Sequence, residues 1–147
     1  MSEPTFEVAV WAHSRRFRLA FDRLLPELPF LQRRFPLGWC TTTSMLLGEY
    51  LRESGLGDFH TRSGVRECDG ERRTHAWMVQ DGLIVDITAD QFPDACAAVI
   101  VTRDSSWHQS WLPAGGYCLA SLAHFEGHDH EGRIRDVYES LVAVAAE

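Results

Sequence analysis

The chain has 147 residues, 45% hydrophobic and 11% aromatic, with a formal net charge of -7. That supplies enough apolar surface for one domain with a real core, and the acidic balance argues against nucleic acid or an anionic membrane as the main partner. The chain contains no lysine and no asparagine, so all 14 positive charges are arginine; Schiff-base lysine chemistry, a P-loop and a nucleophilic triad ending in Asn are excluded.

No window approaches the run of about 20 apolar residues that a membrane span requires. The start, Met1-Ser2-Glu3-Pro4, lacks the basic-then-apolar layout of a signal peptide. Four cysteines at 40, 68, 96 and 118 form no CxxC pair and suggest neither a zinc ribbon nor a disulfide framework. The expected setting is a reducing cytoplasm, and the expected organisation a single domain over 1–147.

The first segment, 5–25, places Val8, Trp11, Phe17, Leu19, Phe21, Leu24 and Leu25 in a mostly helical pattern, with Arg15, Arg16, Arg18 and Arg23 on its solvent side. Pro26, Pro29 and Pro36 then enforce a broken stretch. A second helix is expected over 40–53, with Met45, Leu46, Leu47, Tyr50 and Leu51 inward and Ser54-Gly55 as its stop. Beyond it the periodicity changes to two. Strands are expected over 59–67, 73–80, 83–88 and 97–102, with Asp81-Gly82 the strongest hairpin signal. A tryptophan-bearing loop over 105–111, a strand over 117–124 and an amphipathic helix over 134–146 complete an α+β chain.

Cys40 opens the second helix, behind Gly38-Trp39 and ahead of Thr41-Thr42-Thr43-Ser44. In a first helical turn the unpaired N–H groups and the macrodipole favour thiolate over thiol, and the same N–H groups can donate to an oxyanion on a bound acyl group. Cys68, Cys96 and Cys118 have no comparable setting.

A two-residue turn at Asp81-Gly82 sets the hairpin register: Gln80 faces Leu83, Val79 faces Ile84, Trp77 faces Asp86 and His75 faces Thr88. Side chains alternate, so His75, Trp77, Asp86 and Thr88 share one face, while Ala76, Met78, Val85 and Ile87 form an apolar set on the other. His75 and Asp86 lie diagonally within reach of each other. A histidine held by a carboxylate is the partner that a thiol nucleophile needs. Without Asn the third member has to be a carboxylate; Asp90, just beyond the strand, is the alternative to Asp86.

The motifs Gly38-Trp39-Cys40, His75-Ala76-Trp77 and Asp86-Ile87-Thr88, in that order, resemble the transglutaminase-like branch of papain-like cysteine enzymes over residues 38–92. The resemblance implies a papain-like core: N-terminal helices, including the cysteine-bearing one, on an antiparallel sheet with a closing helix. It also implies a covalent thioester, with Cys40 attacking a carbonyl, His75 moving the proton and Asp86 holding the imidazole. Trp39, Trp77, Gln91 and Gln32 are candidates for substrate or oxyanion support.

The expected activity is acyl transfer on an amide in a peptide or protein substrate, with no cofactor. Hydrolysis comes first, glutamine deamidation or transglutamination second, and a catalytically silent binding module third. His124, His128 and His130, flanked by Asp129 and glycines, could take zinc or nickel but are read as a solvated loop, with no metal expected; His108, which could line the mouth of the cleft, is read as an ordinary loop residue.

Overall fold

A computed structural model describes residues 5–28, 39–115, 117–127, 129 and 132–147. Helix α1 (Phe6–Leu24) starts at Thr5, whose hydroxyl accepts the Val8 N–H at 3.2 Å. Its buried row is Val10, Ser14, Phe17, Phe21 and Leu24, with Arg18 and Ala20 beside it. This corrects the expected face. Val8, Trp11 and Leu19 form, with Arg15, a second row at helical spacing that faces solvent, and Arg15 lies over the Trp11 ring. The sequence pattern merged two stripes, and Arg18 belongs to the interior one.

Helix α2 (Cys40–Glu53) has the expected bounds and ends at Ser54, where Gly55 takes a left-handed φ of 81°. Phe17 stacks on Tyr50 at 4.8 Å between centroids and meets Phe21 edge-on at 5.5 Å. Helix α4 (Arg133–Ala145) closes this layer with Val137, Tyr138 and Leu141, and the Tyr138 hydroxyl donates to Glu53 of α2.

The strands β1 (His60–Cys68), β2 (Glu71–Gln80), β3 (Leu83–Asp86), β4 (Ile100–Thr102) and β5 (Leu112–Pro113) form one antiparallel sheet in the order β4-β3-β2-β1-β5. The β2–β3 pairing runs Gln80 to Leu83, Val79 to Ile84 and Met78 to Val85, the expected register. At the turn Asp81 and Gly82 have φ of 47° and 81°, both positive as a two-residue primed turn requires. Asp69-Gly70 makes a second such turn, with φ of 54° and 80°, and joins β1 to β2 over nine residue pairs. The sequence carries the same Asp-Gly signal there, four residues before the expected start of the second strand.

Three expected strands are shorter or absent, the segment 83–88 being a strand only to Asp86. The segment 97–102 is a strand only over β4, and 117–124 forms one isolated bridge, His60 to Leu119, before a 3-10 turn at Leu122–Phe125. Ser121 ends the extended stretch: its hydroxyl accepts the Ala123 N–H at 3.1 Å, and the Glu49 carboxylate takes the Leu122 N–H at 2.9 Å. The segment 105–111 folds as the short helix α3 (Ser106–Gln109), capped by Ser105.

The helices cover one sheet face, where Met78, Leu83, Val85 and Ile87 join the main core. The other face carries a second apolar cluster of Trp77, Phe92 and Trp111, with Val79, Ile84 and Trp107 packed against it. Gly48 lets α2 approach residue 120: a Cβ there would lie 2.5 Å from the Ala120 carbonyl oxygen. Gly48→Ala is therefore expected to destabilise the fold by about 1–3 kcal/mol, although alanine is the better helix former. Urea denaturation reads this directly, and an unchanged or raised midpoint would contradict the close approach.

Candidate active site

The hairpin places His75 and Asp86 as the register demands. His75 Nε2 lies 2.7 Å from Asp86 Oδ2, and the two side chains are fully enclosed. Asp86 Oδ1 accepts the Thr88 N–H at 3.0 Å, which fixes the carboxylate to its own backbone. With Nε2 committed to Asp86, Nδ1 is the ring atom left for the thiol. Cys40, half-buried in the first turn of α2, has His75, the Ala76 amide and the Thr41 hydroxyl as the polar groups that act on its thiol.

The electrostatics follow from these contacts. Burial alone would push the Cys40 thiol up, but hydrogen bonds from His75, its charge, the Ala76 N–H and Thr41 outweigh burial and hold it below its ordinary value. Burial likewise opposes the charged form of His75. The hydrogen bonds to Asp86 and Cys40, with their charges, win and raise the imidazole to about 9. Asp86 would be pushed up by complete burial, yet donors from His108 and His75 bring it well below the usual carboxylate range.

A stability signature follows. His75 is raised, so its contribution is fully present below an unfolded imidazole's value and is lost as pH rises through about 9. Cys40 is lowered, so its contribution has the opposite slope and grows toward an unfolded thiol's value. Between about pH 6.5 and 8.5 the two slopes oppose and offset each other in part. Denaturant stability of the natural protein is expected to fall less steeply with pH in that window than that of Cys40→Ala, which has only the histidine's slope left. Parallel curves for the two proteins would refute the pairing.

The face carrying His75 is closed by aromatics, not open to water. Phe92, Trp111, Trp77 and Trp107 ring the imidazole at 5.1, 5.5, 5.7 and 5.7 Å between centroids. The Arg66 guanidinium lies 4.4 Å from the centre of Trp111 and is paired with Asp94 at 3.0 Å on the outside. These rings exclude water from the histidine.

The expected supporting residues have mixed fates. Trp77 is buried against His75 and His108 and forms a wall of the site. Trp39 is half-buried at the N-cap of α2 and packs on the main core. The Gln91 amide nitrogen is 3.3 Å from His75 Nδ1 and donates to the Thr88 carbonyl at 2.9 Å, next to where thiol and ring meet. Gln32, Gly38, His128 and His130 lie outside the described residues. Asp90, the alternative third member, faces away from the histidine: its two oxygens take Arg18 Nη1 and Nη2 at 2.8 Å each. Arg18 Nη1 also donates to the Ile87 carbonyl at 2.6 Å, tying the end of the hairpin to α1.

His108 is the residue that sequence reasoning missed. It is 3% exposed, and its Nε2 is 2.7 Å from the same Asp86 Oδ2 that holds His75. A signal was present in Ser105, a helix-capping residue type three positions upstream, and in the i, i+4 pair Trp107 and Trp111. His75, Asp86 and His108 bring one ligand-type atom each within 4.8 Å of one another. Both nitrogens, however, sit at N–H···O distance from one oxygen, shorter than the roughly 3.3 Å between ligands of a tetrahedral zinc ion. The trio is hydrogen-bonded as it stands. None of the four cysteines is in a disulfide, and no described helix is long and apolar enough to cross a membrane. No family model, no curated protein and no solved structure matches the chain.

Proposed function

We propose that this protein is a cysteine enzyme of the papain-like, transglutaminase-like kind that transfers the acyl group of an amide through a thioester. The observation that carries this reading is the relay Asp86–His75–Cys40, with the sulfur at a helix N-terminus. The Cys40 thiolate attacks the amide carbonyl carbon, and the oxygen becomes an oxyanion facing the free N–H groups that open α2. His75 gives its proton to the departing nitrogen as the C–N bond breaks, leaving a thioester on Cys40 and a free amine. Water then attacks the thioester while His75 takes a proton from it, and the carboxylic acid leaves as the thiol is restored. Asp86 keeps the ring aligned and its charge balanced throughout.

Hydrolysis of a peptide or side-chain amide is the leading reaction. Deamidation of glutamine is the same sequence on a side-chain carboxamide, and transglutamination replaces the water by an amine. Gln91, whose amide nitrogen is 3.3 Å from His75 Nδ1, and Trp39, which precedes Cys40 at the helix start, are the candidates for holding the acyl group.

Iodoacetamide alkylation of Cys40, followed by mass spectrometry across pH, tests the reading. The rate is expected to be substantial well below the pH at which an ordinary thiol reacts. His75→Ala should move the titration up, since burial is then opposed only by the Ala76 N–H and Thr41. Natural protein with an ordinary thiol's profile would favour the silent binding module. Cys40→Ala should abolish turnover of peptide and glutamine substrates, and the thioester should be trapped on Cys40 alone.

A further inference from the structure

Asp86 Oδ2 has two imidazole partners at the same 2.7 Å, and the proposed reaction uses only His75. The hydrogen positions on the other follow from its neighbours. Ser105 Oγ accepts the His108 backbone N–H at 3.1 Å, so its hydroxyl proton is free to donate to His108 Nδ1 at 2.6 Å. A ring that accepts at Nδ1 carries its proton on Nε2. His108 therefore donates to Asp86, and the carboxylate receives N–H groups from Thr88, His75 and His108. Trp77 and Trp107 hold the His108 ring edge-on at 4.9 and 4.8 Å, so it has little freedom to turn away.

We propose that His108 is a positioning residue for the thiol site: with its tautomer set by Ser105, it donates to Asp86 Oδ2 and holds that carboxylate in the orientation that binds His75. This rests on the assignment of Cys40 and His75 as the reacting pair. The second donor has a chemical consequence. A carboxylate oxygen already bonded to two N–H groups is a poor resting place for a proton, so the proton taken from the thiol stays on His75, where the leaving nitrogen needs it. It also saturates the oxygen in a pocket where water has no room to do so.

The test compares His108→Phe, which keeps the volume and removes the donor, with His108→Gln, whose amide places an N–H near the position of Nε2. The readouts are the alkylation rate of Cys40 near neutral pH and the imidazole nitrogen NMR spectrum. Alkylation should fall about ten- to a hundredfold in His108→Phe and recover most of that loss in His108→Gln. The spectrum of the natural protein should show His108 protonated at Nε2, and Ser105→Ala, which keeps the ring, should remove that preference. Alkylation unchanged in His108→Phe, or equally slow in both variants, would overturn the proposal, as would an Nδ1-protonated His108 in the natural protein, whatever the variants' folding. A natural protein whose Cys40 reacts as an ordinary thiol would instead overturn the enzyme assignment and take the positioning role with it.

Discussion

Asp86→Ala is expected to remove about 3–5 kcal/mol of folding stability and to end acyl transfer. The carboxylate is 2% exposed and accepts from Thr88, His75 and His108. Deleting it strands three donors in a pocket ringed by tryptophans, where each unpaired polar group costs about 1–3 kcal/mol. It also withdraws the Asp86 contacts that raise His75, leaving only those of Cys40 to oppose burial, and so weakens the charge that the imidazole offers the thiol. The subtler variant is Asp86→Asn, which keeps the shape but has a single oxygen, so it can accept either from Thr88 or from the two imidazoles while its NH2 group opposes the remaining donors. It should fold with a smaller loss while acyl transfer falls by on the order of 10³–10⁴. Chemical denaturation measures the first effect and single-turnover acylation the second. An Asp86→Asn protein with near-normal acylation would remove Asp86 from the mechanism.

Arg18→Met should cost about 2–3 kcal/mol and weaken the site at a distance. The guanidinium is 8% exposed and donates to the Ile87 carbonyl and to both oxygens of Asp90, so the loss leaves a buried carbonyl unpaired. Asp90 is one-third exposed, and water recovers part of its charge, which places the effect below that of a fully enclosed pair. Residues 87–90 follow Asp86 directly and include Thr88, whose amide fixes the carboxylate. Looser anchoring of this segment should therefore lower the Cys40 alkylation rate as well. In a cycle with Asp90→Asn the two losses should be strongly non-additive. Additive losses, or an alkylation rate untouched by Arg18→Met, would show that α1 supports the fold without supporting the site.

The site's two halves were legible in different ways. Cys40 could be placed because a glycine, a cysteine and four small polar residues precede an apolar face, a local pattern that defines a helix start. His75 and Asp86 could be placed because an Asp-Gly turn sets register over the residues on either side. Each inference uses neighbours within about a dozen positions. Arg18 was misassigned because an arginine among arginines on an exposed-looking helix gives no local sign of a partner 69 to 72 residues away. His108 was passed over because its value lies in Asp86, 22 positions upstream, and the capping serine that betrays its short helix is a weak signal by itself.

By itself, the sequence determined the α+β class, the helix that begins at Cys40, the hairpin that puts His75 beside Asp86, and the exclusion of lysine and asparagine chemistry. These are consequences of local backbone preference and side-chain alternation, which neighbouring residues decide. Only the tertiary structure decided that the His75 face is sealed by Trp77, Phe92, Trp107 and Trp111, that Asp90 belongs to Arg18, and that a second histidine shares Asp86. Burial and partner choice depend on which distant segments meet. Desolvation, which raises the stakes of every hydrogen bond in the site, exists only once they have.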